Sequence, residues 1–152
     1  MTITLEQLEA KHSELADLIA KFKAQPQELP AIIAFSAEIS LAAGEHYAGL
    51  VLKPDGTPNH HLVLLPREGE DLEWEEAKAW AIEAGGELPT RQELALLYAN
   101  CKAQFHLSWY WSSEAHDTDS SYAWSQDFYY GGQYYYRKLS PCRARAVRRF
   151  AA

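Results

Sequence analysis

Residues 109–150 restrict the fold more than any other part of this chain. Four strand-length segments, Trp109–Ser113, Tyr122–Tyr130, Gln133–Leu139 and Arg143–Phe150, follow one another with short connections. Gly131-Gly132 is a tight-turn signal between the second and third, and Ser140-Pro141 separates the third from the fourth. Strands this close in sequence pair as antiparallel neighbours. The segment is also unusually aromatic: 11 of the chain's 19 aromatic residues lie between Trp109 and Tyr136. Alternate strand residues face opposite sides, so Tyr134 and Tyr136 share one face and Tyr135 takes the other. All three cannot be core. Some tyrosines therefore belong to a binding surface, or pack beneath a loop or against a neighbouring subunit. Tyrosine suits a binding surface because it offers contact area and a hydroxyl with few torsions to freeze.

Upstream, Tyr47–Lys53 and His61–Leu65 read as a hairpin around the Asp55-Gly56 turn. Two helices follow. Glu73–Ala84 places Trp74, Ala77, Ala81 and Ala84 on one face and stops at Gly85-Gly86. Thr90-Arg-Gln-Glu93 is a capping box that starts a helix running to about Lys102, with Leu94, Leu97, Tyr98 and Cys101 inward. A hairpin, two helices and a meander predict an α+β domain over residues 45–152. Residues 1–25 form a separate helical segment: Leu5, Leu8, His12, Leu15, Ile19 and Phe22 follow a heptad seam. That seam fits either a homo-oligomer, trimer or dimer, or a helix packed on its own domain. Pro26 and Pro30 end it, and residues 26–44 are a connector in which Ile32–Leu41 is a small helix or an extended stretch.

The net charge of −7 hides an asymmetry, because no acidic residue follows Asp127 while Arg137, Lys138, Arg143, Arg145, Arg148 and Arg149 do. An acidic protein with one basic strand is not expected to bind nucleic acid. The arginines are expected to line the last strand and meet the domain's own carboxylates. No apolar run approaches a membrane span, and the charged N-terminus is unlike a secretory signal, so the expected location is virion-associated or cytoplasmic in the producing cell. Cys101 and Cys142 are expected to be reduced and buried. Adjacent His60-His61 would point to opposite faces, and His116, Asp117 and Asp119 form a small polar loop with too few oxygen ligands for calcium. No nucleophile with an ordered His and Asp, no phosphate loop and no metal set is legible. The acidic cluster Glu68 to Glu76 reads as a solvated helix start. No enzyme activity, cofactor or metal is expected.

One combination of residues carries a resemblance: Leu88-Pro89-Thr90-Arg91-Gln92-Glu93-Leu94, Trp111-Ser112-Ser113, Ala123-Trp124, Phe128, Gly131 and Arg143-Ala144-Arg145-Ala146-Val147-Arg148. In this order it resembles a bacterial and phage family with the C-type lectin fold. That family includes the variable proteins of diversity-generating retroelements, phage tropism determinants among them, and small prophage proteins. The broader fold is shared with formylglycine-generating enzymes, whose reactive cysteine pair is not matched here. The resemblance covers about residues 45–150. It implies that Trp111, Trp124 and Phe128 are core and that the arginines brace the final strand. It also implies that residues between these scaffold positions form a variable-type contact surface. The ligand-binding residues expected on these grounds are Tyr110, His116, Asp117, Asp119, Tyr122, Ser125, Asp127, Tyr129, Tyr130, Tyr134, Tyr135 and Tyr136. The implied function is recognition of a protein or glycan on a host cell surface by a phage or prophage component. A structural role in a virion, with the aromatic patch as a subunit interface, is the alternative.

Overall fold

A computed structural model describes residues 4–24 and 38–152. The chain divides into two units, Met1–Phe35 and Ser36–Ala152. The first contains helix α1 (Leu5–Ala24), with an acidic residue, Glu6, in its first turn and Lys21 and Lys23 in its last. Those charges complement the helix dipole. A lone helix cannot bury its own seam, and Leu5, Leu8, Leu15, Ile19 and Phe22 are all exposed. The expectations for Pro26, Pro30 and most of the connector fall outside the described residues.

The second unit is mixed α+β. Its elements are β1 (His46–Leu52), β2 (Pro58–Leu72), α2 (Trp74–Glu83), α3 (Arg91–Cys101), β3 (Trp109–Ala115), β4 (Tyr122–Asp127), β5 (Gln133–Arg137) and β6 (Cys142–Ala151). They form a six-stranded sheet in the order β1-β2-β6-β3-β4-β5. All neighbours are antiparallel except β3 and β6, which run parallel and pair at Tyr110 and Arg143. The last strand is therefore inserted into the middle of the sheet.

Alternation along the central strands divides the core in two. Tyr110 and Val147 join a cluster with Leu94, Leu97 and Cys101 of α3 and with Phe105 and Phe128. Trp111, Ala144 and Ala146 join a cluster with Trp74, Ala77 and Ala81 of α2. The two helices thus cover opposite faces. Small residues on β6 and α2 let helix and sheet approach closely. Phe105 and Phe128 stack at 3.9 Å between ring centres, and Tyr110 meets both edge-on. Burying such a ring contributes roughly 1.5–3 kcal/mol. The buried indoles are satisfied: Trp74 Nε1 donates to the Ser112 carbonyl at 2.7 Å and Trp111 Nε1 to that of Leu72 at 2.8 Å.

The Thr90 capping box forms as the sequence predicts. Thr90 Oγ1 accepts from the Glu93 amide, and Glu93 Oε2 accepts from the Thr90 amide at 2.7 Å. Several boundaries differ from the sequence reading, three of them with a structural consequence. β2 continues to Leu72 because, past an irregularity between Leu64 and Glu68, it goes on pairing with β6. Glu68 and Glu70 are thus strand residues facing Arg143, not part of a helix start. β4 stops at Asp127 rather than Tyr130, because the Asp127 carboxylate accepts from the amides of Tyr129 and Tyr130 and turns the chain. β5 stops at Arg137 rather than Leu139. At Gly131, φ is +87° and a Cβ would lie 2.7 Å from the Tyr98 ring, so the turn requires glycine.

Three of the arginines do meet carboxylates of the domain. Arg143 pairs with Glu68 and Glu70, Arg148 with Glu45, and Arg149 with Glu93 and Glu87. Arg145 is buried, donates to the carbonyls of Leu65 and Gln104, and lies 4.0 Å from the Glu68 carboxylate.

Candidate functional site

The α3-side face of β4 and β5 carries the densest group of accessible rings. Trp124 and Tyr135 are directly opposed across the two strands and meet edge-on at 5.4 Å. Tyr122 lies 5.6 Å from Tyr135, also edge-on. His116 stacks on Trp124 at 5.6 Å and lies 4.4 Å from Tyr135. Tyr134 adds a parallel stack on Tyr135 at 4.7 Å. It reaches this position because β5 is an edge strand, with no neighbour beyond it to confine its side chains.

A cation completes the group. The Arg91 guanidinium sits 3.6 Å above the Trp124 ring. It is held there from both ends of the residue. Its Nε donates to Gln133 Oε1 at 3.0 Å, and its amide donates to Glu114 Oε1 at 2.8 Å. Gln133 in turn donates to the Arg91 carbonyl and to Gln126 Oε1. The fork is therefore preorganised over the indole. Trp124 Nε1 is shielded and has no partner among the described residues. An unpaired indole N–H of this kind costs about 1–3 kcal/mol unless water or a ligand accepts from it.

The 116–121 loop is ordered by its own side chains. His116 Nδ1 accepts from the Asp119 amide at 3.2 Å, which places the neutral ring's proton on Nε2. Asp119 accepts from the amide and hydroxyl of Ser121, at 3.0 and 2.5 Å. These bonds, the hydroxyl's first, hold its carboxyl below the usual aspartate value. Asp117 is exposed on the same loop.

The twelve expected contact residues divide accordingly. His116, Tyr122, Tyr134 and Tyr135 come together, with Asp117 and Asp119 in the adjoining loop. Tyr129 and Tyr130 form a second exposed pair at the β4–β5 turn, 4.4 Å apart, with 52% and 83% of their surfaces accessible. Tyr110, Ser125 and Asp127 are not surface residues. Tyr110 is wholly buried because β3 is a central strand with both faces covered; its hydroxyl donates to Glu68 Oε1 at 2.6 Å and accepts from the His106 amide. Burial and that carboxylate push its phenol well above the ordinary value. Ser125 is inward on β4 and donates to the Tyr134 carbonyl, and Asp127 is spent on the turn. Tyr136 is half-buried against the α2-side core. Trp124, expected in the core, is instead half-buried in the patch, because α3 begins beside it and covers it only with Arg91.

Arg91, Gln133 and Glu114 escaped the sequence reading. Arg91 lies 42 residues from Gln133, and nothing local announces that they meet. Other polar clusters are structural. His60 Nε2 bonds Glu93 at 2.7 Å, while His61 Nδ1 bonds the Tyr47 hydroxyl on the opposite face. Both cysteines are free thiols. Burial pushes both up, Cys142 to about 12, so neither is a thiolate at neutral pH. Among the described residues, no three His, Cys, Asp or Glu side chains form a metal-binding group, and no helix is long and apolar enough to cross a membrane. Neither a protein-family model nor a curated protein matches this chain.

Proposed function

We propose that the chain is a ligand- or receptor-binding module built on a C-type-lectin-like fold, a phage or prophage host-recognition component of tail-fibre or adhesin type. The carrying observation is the continuous cluster of His116, Tyr122, Trp124, Tyr134 and Tyr135 with Arg91 fixed above the indole. Rings and a preorganised guanidinium are the side chains that carry most binding energy at protein interfaces. They also offer flat faces and donors to a glycan. The resemblance of the scaffold residues supports the phage setting and a retroelement as the source of variation at these positions. α1 supports presentation as a dimer or trimer, or attachment to a larger assembly, virion-associated or inside the producing cell; several weak sites held together gain avidity.

The test is a triple variant, Tyr122→Ala, Tyr130→Ala and Tyr134→Ala, in an assay of labelled protein on whole host cells. Binding is expected to fall at least about tenfold, the scale of one hot-spot contact. The thermal midpoint should move little: Tyr130 and Tyr134 are exposed, where a substitution changes stability by about 0.5 kcal/mol, and half-buried Tyr122 adds about 1 kcal/mol. Retained binding, or unfolding of the variant, would overturn the reading.

A second reading rests on the free edge of β5. An open strand edge flanked by Tyr134 is a template for pairing with another chain. It would make the protein a virion structural or assembly component. An oligomer that protects the β5 amides from hydrogen exchange supports this reading; one held through α1 alone supports the first.

A further inference from the structure

On the other face of β5, adjoining the ring cluster where Tyr136 meets Tyr134, lies a cleft of about 460 Å³. It is lined by Asp71, Ser108, Trp109, Tyr136, Ser140 and Arg143, with Cys142 at its wall. This volume is within the range of about 300–1,000 Å³ typical of small-molecule sites. Trp109 and Tyr136 meet edge-on at 5.1 Å and give the cleft an aromatic wall. The polar groups around that wall are uncommitted. Among the described residues, nothing hydrogen-bonds the Asp71 carboxylate, the Ser108 and Ser140 hydroxyls, the Trp109 indole N–H or the Tyr136 hydroxyl. The buried Trp74, Trp111 and Tyr110 spend their polar atoms inside the protein, whereas these groups face the open cleft.

The backbone supports the same place. Asp71 is the only described non-glycine residue in the left-handed region, at φ 51°. It holds the end of β2 in a conformation that most side chains avoid, and aspartate and asparagine tolerate it best. Such outliers concentrate where a side chain must be aimed.

We infer that this cleft is a second binding site, and that it takes a single uncharged, hydroxyl-rich ring, such as one neutral sugar unit. The lining excludes anions by charge, because Asp71 repels them while Glu68 and Glu70 already neutralise Arg143. Five unpaired donors and acceptors spread around one ring pair match several hydroxyls better than one charged group. The aromatic wall takes the C–H face of the ring. Cys142 does no chemistry here, because it stays protonated. The cleft touches the ring cluster only through Tyr136, which lies 6.0 Å edge-on from Tyr134; Trp109 and Trp124 report on the two sites separately.

The test follows the Trp109 indole cross-peak in ¹H–¹⁵N spectra of the full chain. It is assigned as the peak missing from Trp109→Phe; the Trp124 peak is assigned from Trp124→Phe. The probes are methyl α-D-glucopyranoside, methyl β-D-galactopyranoside, N-acetyl-D-glucosamine, sodium phosphate and N-acetyl-arginine methyl ester. At least one neutral sugar is expected to shift the Trp109 peak saturably while the Trp124 peak stays in place. Asp71→Asn keeps the left-handed preference but removes the charge, and should weaken that affinity at least about tenfold. Ser140→Ala should weaken it as well, and far-UV circular dichroism checks that both variants are folded. The inference is overturned if no sugar gives a saturable shift. It is equally overturned if only phosphate or the arginine ester does, if the Trp124 peak moves instead, or if the folded Asp71 and Ser140 variants both bind as well as the parent.

Discussion

Glu93 shows how one residue can hold several elements together. It is fully buried, closes the capping box of α3, and accepts from His60 and from Arg149 at 2.6 and 2.8 Å. Burial pushes its carboxyl up, but the bonds from Arg149, Thr90 and His60 outweigh it and leave the group below the ordinary value. A carboxyl lowered in the folded state binds fewer protons than in the unfolded chain. Its stabilisation is therefore complete above about pH 4.5, the ordinary glutamate value, and is lost as pH falls through the lower folded value. Glu93→Gln should cost about 1.5–3 kcal/mol at neutral pH, the range for hydrogen bonds to charged groups. The gap between parent and variant should narrow as pH drops below that value. Urea titrations across pH 2.5–7 check this, and a gap that stays constant with pH would contradict it. The sequence reveals Glu93 as a cap, since the box is local. It does not reveal Arg149, 56 residues away.

At the scale of elements, hydrophobic period was readable and environment was not. The seam of α1 is present in the helix as spaced in the sequence, and its leucines are exposed within that unit. Leu15→Glu with Ile19→Glu places two charges on the seam. It should convert an α1-held oligomer to monomer in sedimentation equilibrium while leaving the circular dichroism of residues 38–152 intact. An unchanged mass would show that α1 does not hold subunits together. The strands illustrate the other half. Alternation correctly puts Tyr110 and Trp111 on opposite faces of β3, yet both are buried, because β3 lies between β6 and β4. The same alternation on β5 leaves Tyr134 half in solvent, because β5 is an edge.

For the whole molecule, the placement of β6 governs assembly. It lies between β2 and β3, pairs with both, and brings together residues that are up to about a hundred positions apart, as Arg148 and Glu45 are. Such non-local pairing is slow to form and cannot begin until the last strand is present. Removing residues 142–152 should abolish near-UV circular dichroism and leave a chain without fixed tertiary packing. A truncated chain that keeps its near-UV signal would show that the remaining strands are self-sufficient. Placing the basic strand at the centre of the sheet also explains the charge asymmetry. Arg143, Arg148 and Arg149 are neutralised by Glu68, Glu70, Glu45, Glu87 and Glu93 rather than presented to a partner.

By itself the sequence determined what depends on neighbours in the chain. That covers the capping box at Thr90, the glycine turn at 131, the heptad spacing of α1, the two helices and the six strands, although β2 runs seven residues past its expected end at Leu65. These follow from local hydrogen bonds, backbone sterics and side-chain period. Only the tertiary structure decided which faces meet water. Tyr110, Ser125 and Asp127 turned inward, Trp124 turned outward, and Arg91, Gln133 and the Asp71 cleft entered the account through contacts across the sheet. The reason is physical: alternation fixes the relative side of each residue, while strand order and helix placement fix which side is covered.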